Sequence, residues 1–195
     1  QWNRFFGKRL EEVAVGIIGV GRIGTGVLKR LKGFGTKRIL VNDIGTNRKL
    51  DSKNELEWTS KEKIYKEADI ISLHLPLTHL TRNLITKEHL LKMKPDTVLI
   101  NTSRGGIINE EDLYKVMQSG HLSGAAIDVF EREPYEGPLR EIERCLLTAH
   151  MGSMSVDCRA RMEIEATEET VRFLTGKPLE SEVPQKEYEI QGQKL

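Results

Sequence analysis

Short apolar runs alternate along the chain with longer segments that mix polar and apolar residues. The runs Val13 to Ile18, Arg38 to Val41, Ile70 to Leu73, Thr97 to Ile100, Gly124 to Val129 and Cys145 to Thr148 are strand-sized. They show little in/out alternation, the mark of strands covered on both faces. Between them the pattern predicts helices over Ile23 to Leu31, Lys61 to Glu67, Lys87 to Met93 and Glu110 to Ser119. Asn109 is placed to cap the first amides of the last of these, and Gly120 to end it. A longer helix over Ser155 to Leu174 would bring Ala160, Ile164, Val171 and Leu174 near one face, with its charges on the other. Strands alternating with helices predict an α/β protein: a doubly wound parallel sheet of six strands with helices on both faces. Residues 1–175 form one domain in this reading. After Gly176-Lys177-Pro178 the polar stretch 176–195 has no periodicity and reads as a C-terminal arm.

Composition narrows the choice of partners. The chain has 195 residues, 38% of them hydrophobic and 30% charged, which suits a water-soluble globule. Thirty Lys plus Arg against 29 Asp plus Glu leave a net charge of +1. No overall field draws the protein to nucleic acid or to an anionic membrane, so any anion must be held locally. Val13 to Val20, the longest apolar run near the N-terminus, is too short to span a bilayer or serve as a signal sequence, which makes the cytoplasm the expected location. Cys145 and Cys158 form no CxxC and have no neighbouring His pair. They read as reduced thiols, and no metal site is expected.

Three stretches carry chemistry. Gly19-Val20-Gly21-Arg22-Ile23-Gly24 follows a predicted strand and opens a predicted helix, the context that turns a weak GxGxxG pattern into a dinucleotide fingerprint of the Rossmann type. Gly19 permits the tight turn, Gly21 lets a pyrophosphate approach the backbone, and Gly24 lets helix and strand pack closely, with helix amides facing the phosphates. Asp43 ends the second strand 19 residues after Gly24, where an acid hydrogen-bonds the adenosine ribose and repels a 2′-phosphate. No Arg or Lys follows it before Arg48 and Lys49, so NAD is expected rather than NADP. In Ile100 to Asn109 a lone Arg104 stands between an apolar strand and the pair Gly105-Gly106. Downstream, Ile127 to Pro134 and Leu147 to His150 add acids and a histidine. Asp128, ending a strand within an apolar run, is costly to bury without partners and so points to a ligand. His74 reads as cleft wall and His79 as a surface residue.

The order of these motifs resembles that of the D-isomer-specific 2-hydroxyacid dehydrogenases: fingerprint, His74-Leu75-Pro76-Leu77-Thr78, Ser103-Arg104-Gly105-Gly106, Asp128-Val129-Phe130 to Glu133-Pro134, and Leu147 to His150. The likeness extends over roughly Leu10 to Leu174. It implies that Arg104 anchors the carboxylate of a 2-oxo acid through its planar, permanently charged fork. It implies that His150 is the acid and base for the carbonyl oxygen as nicotinamide exchanges hydride, and that Glu133, rather than Glu131, orients the imidazole. The implied cofactor contacts are Gly19, Gly21, Arg22, Ile23 and Gly24 at the phosphates, Asp43 at the ribose, and Leu75 and Pro76 along the cleft. Thr102, Ser103, Arg104, Asp128, His150 and Gly152 would line the nicotinamide side.

Ala149 stands where proline often precedes the family's histidine, and Met151-Gly152-Ser153 departs from its usual sequence, but no reacting group is lost. The larger departure is that the family's N-terminal substrate domain, which would precede Gln1 to Glu12, is not in this sequence, and the chain is expected to be a fragment. The chain is therefore expected to bind NAD yet turn over poorly alone. The resemblance implies a homodimer acting on a small 2-oxo or 2-hydroxy acid, with Trp2, Phe5 and Phe6 in need of cover. An alternative is a non-catalytic, NAD-responsive interaction module resembling the C-terminal-binding-protein corepressors, which keep a similar triad. The NAD-binding domain of adenosylhomocysteine hydrolase is a third reading that the Arg-Glu-His order disfavours.

Overall fold

A computed structural model of the protein describes residues 7–45 and 56–182. Trp2, Phe5, Phe6, Arg48 and Lys49 lie outside the described residues, as does most of the C-terminal arm. The chain divides into two compact units, Gln1–Ala149 and His150–Leu195.

Among the described residues the first unit is built on seven parallel strands: β1 (Ala14–Ile18), β2 (Arg38–Asn42), β3 (Leu56–Trp58), β4 (Ile70–Leu73), β5 (Val98–Asn101), β6 (Gly124–Ile127) and β7 (Cys145–Leu147). Their order across the sheet is β3-β2-β1-β4-β5-β6-β7. The doubly wound parallel sheet is as expected, but it has one strand more than the six predicted. β3 escaped notice because it is three residues long and fully buries only Leu56, so no apolar run marks it. Its register against β2, from Ile39↔Leu56 to Val41↔Trp58, is set by pairing with the sheet.

Helices α1 (Arg22–Leu31), α2 (Lys61–Glu67), α3 (Lys87–Lys92) and α4 (Glu110–Gln118) connect the strands. Each start has a local cause. Ser60 accepts the Lys63 amide at 3.2 Å, Thr86 and His89 form a reciprocal capping box, and Asn109 accepts the Asp112 amide at 3.0 Å. After α4, Gly120 takes φ 87°, which suits glycine at a helix end.

The strand β1 shows why the sheet is covered on both sides. Val13, Val15 and Ile17 point into one apolar layer with Leu28 of α1, Ile39, Val41 and Leu56. Ala14 and Ile18 point into the other, with Leu40, Ile64 of α2, Leu90 of α3, and Leu113, Val116 and Met117 of α4. A continuous apolar run thus divides by the two-residue period of a strand between two cores. Each fully buried Ile or Leu contributes about 1.5–3 kcal/mol, and truncating Ile17 to Ala would cost roughly 2–5 kcal/mol.

The second unit is α5 (Val156–Leu174) and the chain that folds back on it. Glu169 accepts the amides of Glu180 and Ser181 and pairs with Arg172, which also reaches Glu180. The predicted apolar face is present in sequence but α5 buries no residue: Ile164, Val171 and Leu174 are all exposed. No helix among the described residues is long and apolar enough to cross a membrane. Cys145 and Cys158 are free thiols, and burial raises the Cys145 pKa to about 11.

Candidate active site

The sheet order reverses between β1 and β4: from β1 the chain steps outward to β2 and β3, then returns to lay β4 on the other side of β1. Connections leaving the carboxyl ends of β1 and β4 diverge there and open a crevice, the usual ligand position in such sheets. The fingerprint turn fills one lip. Gly19 takes φ 96°, and a Cβ on it would lie 2.3 Å from the His74 carbonyl oxygen. A Cβ on Gly24 would lie 2.1 Å from the Gly19 carbonyl oxygen, whereas one on Gly21 would meet nothing within 4 Å. The fold itself thus requires Gly19 and Gly24, while Gly21 keeps its backbone accessible from the crevice. Arg22 and Ile23 begin α1 in the open, Ile23 with 69% of its surface exposed. The first amides of that helix have no partners within it and suit an anion.

Asp43 directly follows β2, and its carboxylate faces the turn. Oδ2 accepts the Val20 amide at 2.5 Å and Oδ1 accepts the Ile44 amide at 2.6 Å. The other lip comes from β4. His74 is half-buried with its Nε2 3.0 Å from Ser72 Oγ, and burial pushes its pKa below the ordinary 6.5. Leu75 and exposed Pro76 continue from it, and Thr81 Oγ1 fixes this loop by donating to the Pro76 carbonyl at 2.6 Å and accepting the Thr78 amide at 2.8 Å. His79 is exposed.

The carboxyl ends of β5, β6 and β7 hold the second group of residues. Asn101, only 2% exposed, accepts from the Ser103 amide (3.1 Å) and hydroxyl (2.7 Å) and donates to the Arg104 carbonyl (3.0 Å). One buried amide side chain therefore shapes the whole turn bearing Thr102, Ser103 and Arg104. The Arg104 side chain is exposed and donates to the Ser103 carbonyl at 2.6 Å. Gly105 lies directly on the next loop, where a Cβ would fall 2.0 Å from the Phe130 carbonyl carbon. That loop carries both candidate acids. Glu131 pairs with Arg82 at 2.8 Å, while Glu133 Oε1 accepts the Phe130 amide at 3.0 Å. Glu110 accepts the Glu131 amide at 2.6 Å. Burial raises its pKa, with the charges of Glu131 and Glu133 adding to the effect against that hydrogen bond. The Phe130 and Tyr135 rings stack 4.2 Å apart beneath. Asp128, 7% exposed, donates its amide to the Asn101 carbonyl and accepts the Thr148 hydroxyl at 2.6 Å.

The first unit thus gathers Gly19, Gly21, Arg22, Ile23, Gly24, Asp43, Leu75 and Pro76 at the crevice, and Thr102, Ser103, Arg104, Asp128 and Glu133 at the same carboxyl edge of the sheet. His150 and Gly152 belong to the second unit. His150 has φ 52°, a left-handed backbone conformation that is uncommon outside glycine but enriched in Asn, Asp and His. Asn101, Thr148, Thr81 and Arg82 were not singled out from sequence. Arg82 and Thr148 find their side-chain partners in other loops, whereas Asn101 and Thr81 bond within their own turns, and no residue pattern marks any of them. Among the described residues no group of His, Cys, Asp and Glu could hold a metal ion.

A parallel sheet with this reversal, a glycine turn open at Gly21, and an acid after β2 define a dinucleotide-binding α/β domain. Residues 1–152 match the D-isomer specific 2-hydroxyacid dehydrogenase, NAD binding domain, and the chain belongs to that family. It is 40% identical over 166 residues to a glyoxylate reductase of Korarchaeum cryptofilum, covering 83% of this chain and 49% of that protein. It is 39% identical to a hydroxypyruvate reductase of Thermotoga maritima, covering 86% of this chain and 55% of the relative. Among solved structures, a D-lactate dehydrogenase from Aquifex aeolicus complexed with NAD and lactic acid superposes with a TM-score of 0.82. It is 30% identical, over 90% of this chain and 57% of that one. The chain spans about half the length of these relatives.

Proposed function

We propose that this chain is the cofactor-binding half of an NAD-dependent oxidoreductase that interconverts a 2-oxo acid and a D-2-hydroxy acid. One observation carries the reading. The Arg104 turn, shaped by Asn101, lies through Gly105 on the Phe130–Glu133 loop, at the same sheet edge as the fingerprint crevice. A charged fork and a carboxylate loop are thereby held at the edge where a nicotinamide would end.

Bound NADH would supply the hydride of the reduction, and the carbonyl oxygen would need a proton to give the 2-hydroxy acid. Arg104 binds the substrate carboxylate and polarises the adjacent carbonyl. His150 delivers the proton to the carbonyl oxygen, or removes it in the reverse direction, and Glu133 orients its imidazole. Asp43 receives the ribose hydroxyls. The amides at Gly21, Arg22 and Ile23 receive the pyrophosphate, with Gly19 and Gly24 shaping the turn. Leu75 and Pro76 line the cleft, and Asp128, with the Thr102 and Ser103 backbone and Gly152, lies along the nicotinamide half.

The named relatives are reductases and dehydrogenases, which favours an enzyme over a corepressor-like interaction module. The same reading makes the protein a cytoplasmic homodimer, and a monomer by sedimentation at high concentration would remove the dimer from it. The test of the reading is oxidation of NADH driven by glyoxylate, hydroxypyruvate or pyruvate, measured with the chain joined to a substrate domain of the family. Arg104→Met should lower kcat/KM by roughly 100-fold or more, about 2.7 kcal/mol at 1.36 kcal/mol per decade. Unchanged turnover in that variant would refute Arg104 as the anchor.

A further inference from the structure

We infer that Thr148 is a positioning residue for the nicotinamide half of the cofactor, acting through Asp128; the inference rests on the proposed role of Asp128. Asp128 is the buried acid at the end of β6, and a carboxylate in that position is stable only if it is hydrogen-bonded. Its backbone is tied to β5, since its amide donates to the Asn101 carbonyl. Its side chain is tied to β7 instead: the Thr148 hydroxyl donates to Oδ1 at 2.6 Å, the length of a hydrogen bond to an ionised acceptor.

Thr148 is itself held in place. Its amide donates to the Ile127 carbonyl at 3.0 Å, which carries the β6·β7 ladder one residue past the end of β7. Donor and acceptor therefore sit on two adjacent strands whose register is already set from Ala125↔Cys145 to Ile127↔Leu147. The bond fixes the rotation of the Asp128 carboxylate without asking anything further of the backbone. The Thr148 bond takes one of a carboxylate's roughly four acceptor positions and constrains the direction of the group. An amide group, such as the carboxamide of a nicotinamide ring, is recognised by an acceptor fixed in direction, and a freely rotating carboxylate would surrender part of that binding as rotamer entropy.

Thr148 is an exposed residue, so its hydroxyl is not needed to fill a core. Thr148→Val keeps the branched shape and removes the donor, and Thr148→Ser keeps the donor and removes a methyl group. Both variants and the parent chain are titrated with NADH and with ADP-ribose, which lacks the nicotinamide ring. Thr148→Val should weaken NADH binding roughly tenfold, the loss of about 1.4 kcal/mol expected for part of one charge-assisted hydrogen bond. ADP-ribose binding should stay unchanged, and Thr148→Ser should restore NADH affinity. Equal losses for both ligands, no loss for either, or failure of Thr148→Ser to rescue would overturn the inference and leave Thr148 as a clamp at the end of the sheet. A parent chain that binds NADH no better than ADP-ribose would instead overturn the role of Asp128, and the role of Thr148 with it.

Discussion

Alanine at Gly24 and alanine at Gly21 separate the stability of the crevice from its use. At Gly24 the new Cβ would lie 2.1 Å from the Gly19 carbonyl oxygen and 3.1 Å from its carbon, with the His74 Cβ at 3.6 Å. None of these is the end of a flexible side chain, so the turn or the start of α1 must shift. Such overpacking costs about 1–3 kcal/mol, from which the helix preference of alanine recovers at most about 1 kcal/mol. A net loss on the order of 1–2 kcal/mol lowers Tm by roughly 2–8 °C in a protein of this size. At Gly21 the Cβ meets nothing within 4 Å, and φ is −73°, which alanine adopts freely. Its poorer fit as an N-cap and its lower unfolded-state entropy oppose each other, each worth about 0.5–1 kcal/mol, so Tm should hold within a few degrees. The methyl would nevertheless stand where a pyrophosphate approaches the backbone, and NADH affinity should fall at least tenfold, about 1.4 kcal/mol. The assay is a thermal melt of each variant beside a fluorescence titration with NADH. Gly24→Ala should lose stability and affinity together, Gly21→Ala affinity alone. Full NADH affinity in Gly21→Ala would refute the assignment of that backbone to the phosphates.

Two further predictions concern groups buried beside the site and in the core. The His74 ring is kept neutral by burial below its ordinary pKa of 6.5, so below that pH the unfolded chain gains a proton that the folded chain resists. Stability should therefore fall as pH drops below about 6.5, and His74→Gln should flatten that fall in denaturant melts at about pH 7.5 and 5.5; identical slopes would show that the ring protonates freely in the fold. Tyr65 is wholly buried against His89, its hydroxyl has no hydrogen-bond partner among the described residues, and burial raises its pKa. Because an unpaired buried hydroxyl is destabilising, Tyr65→Phe should raise stability by roughly 1 kcal/mol, about 2–4 °C in Tm. A loss of that size would mean the hydroxyl has a partner.

The fold was legible where its causes are local. The cap at Asn109, the stop at Gly120 and the glycine turn at Gly19 lie within a few residues of what they control, and the helix ends fell within a residue of the reading. The strand β3 was not legible, because three residues cannot show a period and its existence depends on the open edge of β2. The apolar face of α5 was read correctly as a pattern, but a pattern does not say what covers it. The same limit applies to the site. Glycines and acids in recognisable spacings declared the crevice, whereas Thr148 reaches Asp128 across strands that pair in parallel, partners brought together by register rather than by sequence distance, and Asn101 shapes its own turn with a side chain that no motif marks. Asp43 also has a contact that its spacing did not imply: it accepts the Val20 amide of the turn.

In the proposed function the crevice between β1 and β4 takes NAD and Asp43 selects it. The direct measurement is a fluorescence titration of the chain with NADH and with NADPH, repeated on Asp43→Ala. NADH should bind, NADPH should bind at least tenfold more weakly, and Asp43→Ala should lose about tenfold or more of the NADH affinity, since both the proposed ribose contact and the hold on Val20 disappear. Absence of NADH binding, or Asp43→Ala binding NADH as tightly as the parent, would contradict it.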